Sequence, residues 1–409
     1  MIRVGFLLNH DAAHQVMHCI PTAFELARRY PEISVVIIST TEAEAEAIAG
    51  IAANYPDASC QIEIAEPPAY ASLFDKLTGH AILAKRIGVL WRHRALFRSL
   101  DALVVPDKPS LVLKRWLGDE CPLMINTFHG AGDRAGGYQG VANFDYHLLP
   151  GRKYEERMLA EGMVDPDRYT VAGYVKFDCI RNTPRPKLFS NDRPTVLYAP
   201  HFNPKLSSWY GWGESILDYF AHSSDYNLIF APHVLLYRRS WHISTEGGLP
   251  RRTPPIPDAA RRAPNILVDP GSIASIDMTY TRAADVYLGD VSSLVYEFLI
   301  EPRPCVFFNR SKANWRDNEN FRFWSTGDVL ESPSELPAAL ALTQSDPMRY
   351  RAEQERAFAE AFDLTDTPSS IRAADAIIGF LAREGRLPAR PTSSPTSTEQ
   401  KYESNMKGR

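Results

Sequence analysis

The sequence predicts two α/β domains, each built on a doubly wound parallel sheet whose strands are buried on both faces. Short runs rich in β-branched residues, such as IRVGFLL at the N-terminus, alternate with helix-forming stretches. Alternation of this kind is typical of parallel sheets covered by helices. The alternation of strands and helices is interrupted at NTPRPKLFSNDRP and begins again with TVLYAPHF. The chain has 409 residues, and domains of about 100–200 residues are usual, so two domains are expected.

The first domain is predicted to span residues 1–182. Its strands are IRVGFLL, ISVVIIST, LDALVVPD, PLMINTFHG and DYHLLPG. Uninterrupted apolar runs of this kind indicate strands that are buried on both faces. Between them TEAEAEAIAGIAANY, opened by Thr40 and Thr41, is a strong helix former, and a charged helix is predicted from Lys153 to Glu161.

Residues 183–194 are predicted to be a linker, because proline and polar residues dominate them. The second domain, residues 195–345, has the predicted strands TVLYAPHF, YNLIFAPHV, NILVDPGS, ADVYLGD and PCVFFN. Two helices within residues 346–385 are predicted to close the fold. The polar, low-complexity tail, residues 386–409, is predicted to be disordered.

Composition and charge narrow the class of protein. Apolar residues make up 44% of the chain and charged residues 23%, as in ordinary globular proteins. The formal net charge of −4 provides no positive field to attract nucleic acid. Five scattered cysteines without a CxxC pair favour reduced thiols. No apolar stretch reaches the ~18 residues of a membrane-spanning helix, and the N-terminus lacks a secretory signal, so a cytoplasmic location is expected.

One segment leaves contact with a membrane open. LAKRIGVLWRHRALFRSL carries basic residues among apolar ones over residues 85–98 and predicts a basic amphipathic helix. Such a helix suits the inner face of an anionic membrane or a polyanionic acceptor. The alternative is a solvated helix face.

Polar residues gather just past the carboxyl ends of the predicted strands. Open parallel sheets bind ligands at that edge. The members of this set are His10, His129, His201, His233, Asp290, Ser292 and Ser293. We therefore expect a ligand site in a central cleft between the two sheets.

The segment GDVSSLVYEFL predicts a strand, a tight turn and the start of a helix. Such a turn presents unpaired N–H groups and the positive end of the helix dipole, and Ser292 and Ser293 add hydroxyl groups. A phosphate group fits this site beside Asp290, whereas a helix cap that binds nothing is the alternative. The Walker and GxSxG patterns are absent. Glu297 lies one helical turn past Ser293, where it could accept ribose hydroxyls or face solvent.

The glycine-rich segment NTFHGAGDRAGGYQG predicts a loop after a strand. His129 within it is a candidate general base, because the ordinary pKa of histidine lies near neutral pH. The alternative is a structural histidine at the strand end. Asp133 and Arg134 either order this loop or face the cleft.

Two further strand ends carry histidines after proline. His233 in FAPHV is a candidate catalytic donor to a diphosphate, and His201 in YAPHFN is a candidate phosphate ligand. Asn203 lies at the same edge. Turn chemistry after proline is the alternative for both segments.

The first predicted helix carries His14 and His18 at a spacing of four residues, near His10 and Asp11. This spacing can hold a metal, but no third ligand follows at a convincing spacing and the HExxH pattern is absent. We predict no metal site. His10, Asp11 and His14 are expected to lie at the edge of the cleft.

These motifs resemble those of the CDP-glycerol glycerophosphotransferase family, enzymes that build teichoic-acid-like polymers. FHG is similar to the HGT-type motif of that family, YAPHFN to its YAPTW-type strand end, and APHV occupies the place of its R-x-H-P segment. ADVYLGDVSSLVYEFLIEPRPCVFF is similar to its DYSS turn, acid-bearing helix and following strand, and also to the DSGG…E turn of UDP-N-acetylglucosamine 2-epimerases. The chain has Ala131, Ala231 and Val291 where the family has Thr, Arg and Tyr.

The resemblance implies a GT-B fold with a nucleotide donor held by the second domain. It implies that His129 is the base acting on the acceptor, that His233, Ser292 and Ser293 contact the donor diphosphate, and that Glu297 contacts the ribose. No metal or other cofactor is expected.

The activity implied is transfer of a glycerophosphoryl or glycosyl group from CDP-glycerol or a nucleotide sugar. The acceptor would be a hydroxyl of a polysaccharide or a lipid-linked molecule. Two alternatives stay open, namely a nonhydrolysing UDP-N-acetylglucosamine 2-epimerase-like enzyme and a non-catalytic nucleotide-binding protein of polymer assembly.

Overall fold

The computed structural model describes two α/β domains, each with a parallel sheet, which confirms the predicted fold class. One sheet has seven strands and the other six. The described residues are 1–10, 13–77 (without the side chains of 74–77), 84–133, 140–244 and 247–387. Asp11, Arg134 and residues 388–409 of the tail lie outside them.

The first sheet has the order β3-β2-β1-β4-β5-β6-β7, and every pairing is parallel. Its strands are β1 (Ile2–Leu7), β2 (Ile33–Ser39), β3 (Gln61–Ile64), β4 (Ala102–Val105), β5 (Leu123–Thr127), β6 (Tyr146–Leu149) and β7 (Tyr169–Val171). The helices between them are α1 (Val16–Arg29), α2 (Glu42–Ala52), α3 (Ala69–Leu77), α4 (Ala84–Arg92), α5 (Arg94–Arg98), α6 (Val112–Leu117) and α7 (Arg152–Ala160).

The second sheet has the order β12-β9-β8-β13-β14-β15 and is also parallel. Its strands are β8 (Thr195–Ala199), β9 (Asn227–Phe230), β12 (Ile266–Val268), β13 (Val286–Gly289), β14 (Cys305–Phe308) and β15 (Asp328–Leu330), while β10 (Trp241–His242) and β11 (Arg251–Arg252) form a small antiparallel pair. The helices are α8 (Trp209–His222), α9 (Asp258–Arg262), α10 (Thr279–Ala283), α11 (Leu294–Phe298), α12 (Leu336–Ser345), α13 (Arg351–Ala361) and α14 (Ser369–Arg383).

The start of α2 shows how local sequence positions the end of a strand. The Glu44 N–H donates to Thr41 Oγ1 (3.2 Å), and the Glu44 carboxylate accepts from the N–H groups of Thr41 (3.1 Å) and Thr40 (2.8 Å). This reciprocal capping box fixes the first turn of the helix. The same carboxylate accepts from the His10 N–H at 3.4 Å, so the cap also holds the segment that follows β1.

The predicted basic helix over residues 85–98 forms two helices, α4 and α5, which meet at His93. Arg86 is buried and pairs with Asp107, so its charge faces the core and not solvent. Trp91 keeps 48% of its surface exposed. Among the described residues, no helix combines the length and the apolar character needed to cross a membrane.

The last helix, α14, packs on α1 and completes the core of the first domain. Its start is fixed by Asp178, whose carboxylate accepts from the N–H groups of Ser369 (3.2 Å) and Ser370 (2.7 Å). Phe380 is fully buried and stacks on Tyr146 of β6, with ring centroids 4.4 Å apart. The chain therefore passes from the first domain to the second and returns.

Truncating Phe380 should destabilise the whole protein through the first domain. We expect Phe380→Ala to lower the free energy of unfolding by about 3–5 kcal/mol, because it removes a buried ring and leaves a cavity. Leu342→Ala is the control, since Leu342 is 44% exposed. Urea unfolding would measure both variants, and equal losses would contradict this assignment of α14 to the core.

Candidate active site

The carboxyl ends of the two sheets meet at one cleft, and most of the predicted strand-end residues lie there. A cavity of about 420 Å³ is lined from both domains, and an adjoining cavity of about 360 Å³ shares part of its wall. The residues common to both cavities are His129, Gly130, His233, Ser292 and Ser293. His201 lines the larger cavity, whereas His10, His14 and Glu297 line the smaller one.

The two domains touch where Gly130 meets Ser293. Gly130 has a φ of +103°, and a Cβ placed on it would lie 3.2 Å from Ser293 Oγ. Only glycine adopts this backbone conformation without strain. The glycine of the FHG motif therefore allows the loop to approach the serine turn of the other domain.

Asp133 orders the loop that carries His129. Its Oδ1 accepts from Lys153 Nζ at 2.7 Å, and its Oδ2 accepts from the Tyr296 hydroxyl at 2.9 Å. Lys153 also donates to the Ala131 carbonyl at 2.8 Å. Since Tyr296 belongs to α11, the buried Asp133 joins the two domains. Asp133 also lines the larger cavity, so it both orders the loop and borders the cleft.

His129 is held as a neutral imidazole with one nitrogen available to a substrate. Its Nδ1 lies 2.6 Å from the Pro106 carbonyl oxygen, which can only accept, so Nδ1 carries the proton. Burial lowers the pKa of His129, partly opposed by this hydrogen bond. His129 as a residue is nevertheless exposed, because it lines the open cleft between the two domains. Nε2 is therefore an acceptor suited to a general base.

His201 and His233 have the opposite tautomer. The Asn203 N–H donates to His201 Nδ1 at 3.0 Å, and the Leu235 N–H donates to His233 Nδ1 at 3.2 Å. In a neutral ring the proton is then on Nε2, which becomes a donor. Burial lowers the pKa of His233 to about 4. The two ring centroids lie 5.3 Å apart, so the pair can present two N–H groups to one anion.

The two serines of the GDVSS turn differ in their contacts. Ser292 Oγ accepts from the Leu294 N–H at 3.3 Å and so supports the start of α11. Ser293 is the N-cap residue, but its hydroxyl makes no capping hydrogen bond. Both line the cleft. Capping accounts for Ser292 and leaves the role of the Ser293 hydroxyl open.

Asp290 does not face the cleft, which corrects its predicted role as a phosphate ligand. It is fully buried, and its Oδ2 accepts from the N–H groups of His201 (2.9 Å) and Ser208 (3.0 Å). Burial raises its pKa to about 6. Its Oδ2 thus positions the segment from His201 to Ser208, whereas its buried Oδ1 has no hydrogen-bond partner among the described residues.

Glu297 is buried, so the alternative of a solvated helix residue is wrong. Its Oε1 accepts from the Tyr174 hydroxyl at 2.8 Å and its Oε2 from Lys176 Nζ at 2.6 Å. Both partners follow β7 in the first domain. The sequence analysis missed them, although a lysine within the apolar segment GYVKF was a signal. The ribose contact of Glu297 stays a prediction.

Three more histidines form one wall of the smaller cavity. The rings of His10 and His14 lie 4.5 Å apart in an edge-to-face arrangement, and His14 lies 5.9 Å from His129. Burial lowers the pKa of His10 to about 3 and that of His14 well below its usual value. His18 lies deeper, against Tyr174. Within the described ranges, no cluster of three metal-ligating side chains occurs.

Two parallel sheets whose carboxyl ends face one cleft define the GT-B fold class. Residues 253–379 match the family model for CDP-Glycerol:Poly(glycerophosphate) glycerophosphotransferase. The match supports the predicted family over this segment, which is less than half of the chain and runs from the second domain into α14. It includes Ser292, Ser293 and Glu297 but neither His129 nor the two donor histidines.

Solved structures share the fold over nearly the whole chain. A UDP-N-acetylglucosamine 2-epimerase of Listeria monocytogenes matches with a TM-score of 0.58 and 14% identity, covering 96% of this chain and 99% of that one. The wall teichoic acid polymerase TagF matches with a TM-score of 0.59 and 14% identity, covering 93% and 90%. An S. aureus MnaA–UDP co-structure matches with a TM-score of 0.57 and 11% identity, covering 96% and 100%. Identities this low show the shared fold alone. No curated protein matches the chain.

The histidines whose pKa is lowered predict that acid destabilises the protein. Burial lowers the pKa of seven described histidines and raises the pKa of Glu44 to about 7 and of Asp290 to about 6. The seven are His10, His14, His18, His129, His147, His233 and His242. Below pH 6.5 the unfolded chain gains protons on these histidines that the folded chain lacks. The two carboxyls act in the opposite sense, but the histidines outnumber them, so the unfolded chain takes up more protons.

We therefore expect the free energy of unfolding to fall as the pH falls from 6.5 to 5, by up to about 1.4 kcal/mol per pH unit for each net proton. In His147→Gln the free energy of unfolding should fall less steeply with pH, by the contribution of one proton. The reason is that His147 is buried and its pKa is lowered to about 4. His222→Gln is the control, since that side chain is 75% exposed. Urea titrations at several pH values would measure the slopes. A stability that rises on acidification would refute the expectation.

Proposed function

We propose that the protein transfers a glycerophosphoryl group from a nucleotide-activated donor to a hydroxyl acceptor in the synthesis of a cell-surface polymer. The observation that carries this proposal is the opposed tautomers at the cleft, where His129 offers an acceptor nitrogen and His201 and His233 offer donor N–H groups. CDP-glycerol is the first donor to test, because the family model names it. Nucleotide sugars are the second, because the chain departs from the family motifs at Ala231 and Val291.

The proposed reaction needs one group that accepts a proton and several groups that donate hydrogen bonds to the phosphate oxygens. The acceptor hydroxyl gives its proton to His129 Nε2 while its oxygen forms a bond to the phosphorus that carries glycerol. The bond from that phosphorus to the bridging oxygen breaks, and the nucleoside monophosphate leaves. Hydrogen bonds from His201, His233 and Ser293 oppose the charge that develops on the phosphate oxygens. The Pro106 carbonyl stabilises the protonated ring of His129.

We also propose that Glu297 accepts the ribose hydroxyls of the donor. It lines the smaller cavity together with His129 and Ser293, which supports a continuous donor site. Hydrogen bonds from Lys176 and Tyr174 orient the carboxylate. A bound ribose would share these oxygens with them, since each carboxylate oxygen has more than one lone pair.

A lipid-linked acceptor would bring the protein to a membrane, and α3 and α4 supply a surface that supports this. Tyr70 and Leu73 on α3 are 66% and 60% exposed, and Trp91 on α4 is 48% exposed. Arg92 and Arg94 are exposed beside them. Exposed aromatic and apolar side chains with flanking arginines favour an anionic bilayer surface.

His129→Ala should lower kcat/KM for transfer from CDP-glycerol by about 10²–10⁴-fold, because the attacking hydroxyl loses its base. The wild-type pH profile should be flat above pH 6.5 and fall at lower pH, where His129 takes up a proton at its lowered pKa. His222→Gln, a change at an exposed site, is the control. Radiolabelled transfer assays with CDP-glycerol and with UDP-, GDP- and CMP-sugars would measure these values.

Full transfer activity in His129→Ala would contradict the assignment of His129 as the general base. Formation of the 2-epimer from UDP-N-acetylglucosamine, without transfer from any donor, would establish the epimerase alternative. Binding of a nucleotide donor without turnover would favour the non-catalytic alternative.

Arg94→Gln should weaken binding to vesicles that contain anionic phospholipid by roughly 1 kcal/mol, about fivefold, since one basic residue near the surface contributes that much. Arg193→Gln removes the same charge from an exposed position in the linker before β8 and should have no effect. Co-sedimentation with phosphatidylglycerol vesicles would measure both. Equal binding by the two variants would exclude α4 and α5 from the contact.

A further inference from the structure

A buried ion pair lies behind the wall of the cleft that carries His129. Arg86 of α4 and Asp107, the second residue after β4, are 8% and 4% exposed, and Arg86 Nη2 donates to Asp107 Oδ2. Buried ion pairs gain little net stability, because desolvation offsets the attraction. The proposed reaction uses neither charge. The contacts of the two side chains therefore have to show what the pair does.

Arg86 joins the ends of two neighbouring strands of the first sheet. Its Nε donates to the Asn9 carbonyl at 2.6 Å, and the Asn9 side-chain amide donates back to the Arg86 carbonyl at 3.1 Å. Asn9 is buried and is the second residue after β1. The guanidinium group thus binds the segment after β1 and the segment after β4 at once. Its planar, fixed set of donors holds the two segments at a defined distance.

Asp107 is held at both of its carboxylate oxygens. Arg86 binds Oδ2, and the hydroxyl of Ser110 donates to Oδ1 at 2.6 Å. Ser110 is fully buried in the helical turn Pro109–Leu111 that follows. Because the Asp107 nitrogen shares one planar peptide unit with the Pro106 carbonyl, a fixed Asp107 also fixes the direction of that carbonyl.

The Pro106 carbonyl is the group that holds the ring of His129, at 2.6 Å from Nδ1. A backbone carbonyl thus has the place that a carboxylate has beside the histidine of a catalytic triad. Burial lowers the pKa of His129. The Pro106 hydrogen bond and the charge of Asp107 oppose this effect, and the charge of Arg86 adds to it. Arg86 therefore offsets the charge of Asp107 near the ring, and the neutral carbonyl orients it.

We propose that Asp107 and Arg86 are positioning residues for His129. They direct the Pro106 carbonyl at Nδ1, so the proton of the neutral ring stays on Nδ1 and Nε2 stays an acceptor. Pro106 and Lys108 line the larger cavity, whereas Asp107 between them points into the protein, so the pair acts through His129 and not on a substrate. The value of this tautomer for catalysis rests on the proposed function, but the tautomer itself needs no substrate.

The test measures the tautomer of His129 by nitrogen NMR of the full-length protein labelled with 15N-histidine. The spectra are taken without donor at about pH 7.5, where the lowered pKa of His129 keeps the ring neutral. His129→Gln assigns the signals. In the wild type the ring should be protonated at Nδ1 alone. In Asp107→Ala it should be a mixture of both tautomers, because a ring released from the carbonyl can carry its proton on either nitrogen.

Three further variants separate positioning from a general loss of structure. Asp107→Asn keeps an oxygen for Arg86 and should restore the single tautomer. Ser110→Ala leaves no charge unpaired, so it serves where Asp107→Ala does not fold, and it should give a smaller fraction of the second tautomer. Asp145→Ala is the matched control. Asp145 pairs with Lys114 (2.6 Å) and accepts from the Met124 N–H (2.7 Å), but it precedes β6 at the opposite edge of the sheet.

A mixture of tautomers in Asp107→Ala or Ser110→Ala, with a single tautomer in Asp107→Asn and Asp145→Ala, supports the inference. A single Nδ1–H tautomer in every variant overturns it, and so does a mixture in Asp145→Ala. In the transfer assay Asp107→Ala should lower kcat by about 100-fold at an unchanged KM, because a misplaced base acts on the step after binding. Absence of transfer by the wild type would contradict the proposed function and leave the NMR result standing.

Discussion

The buried carboxylate of Asp290 is the contact on which the architecture of the second domain's ligand edge depends. It accepts from His201 and Ser208 and so fixes both ends of one segment. That segment carries His201 into the cleft and supplies the Ser207 and Pro204 carbonyls that orient Arg310. Without the carboxylate, the buried Ser208 N–H would lose its partner at a cost of about 1–3 kcal/mol, and the partly buried His201 N–H at a smaller one. The orientations of His201 and Arg310 thus depend on the same buried group.

The interface between the domains is made of buried charge pairs and a close backbone contact. Asp133 joins Lys153 to Tyr296, Glu297 joins Lys176 to Tyr174, and Gly130 lies against Ser293. Buried ion pairs gain little net stability, because desolvation offsets their attraction. Their value here is geometric, since each pair has a defined set of donors and acceptors. The loop of His129 and the serine turn are therefore held in a fixed position relative to each other across the cleft.

The sequence predicts the fold and the place of the site well, because both follow from local patterns. Uninterrupted apolar strands identify the parallel sheets, and the order of strand and helix then brings His129, His201, His233 and the serines to one edge. Contacts between distant segments could not be predicted. Glu297 lies more than 120 residues from Tyr174 and Lys176 along the chain, and nothing local in the helix shows that it is buried. In the sequence Asp290 looks like a ligand residue. Its burial depends on the neighbouring strands of the sheet, which the residues beside it in the chain do not reveal. The return of α14 to the first domain is equally non-local.

The low pKa of His233 has a consequence for the end of the proposed reaction. In that reaction, transfer would leave a nucleoside monophosphate with a newly exposed terminal oxygen and more negative charge than the diester it replaced. Cationic side chains at His201 and His233 would attract that product strongly and slow its departure, a step that limits turnover in many enzymes. Neutral N–H donors bind the product less tightly, because they lack the additional attraction between a full positive charge and the phosphate. The burial that suppresses protonation of His233 thus favours release of the spent nucleotide and the entry of a fresh donor.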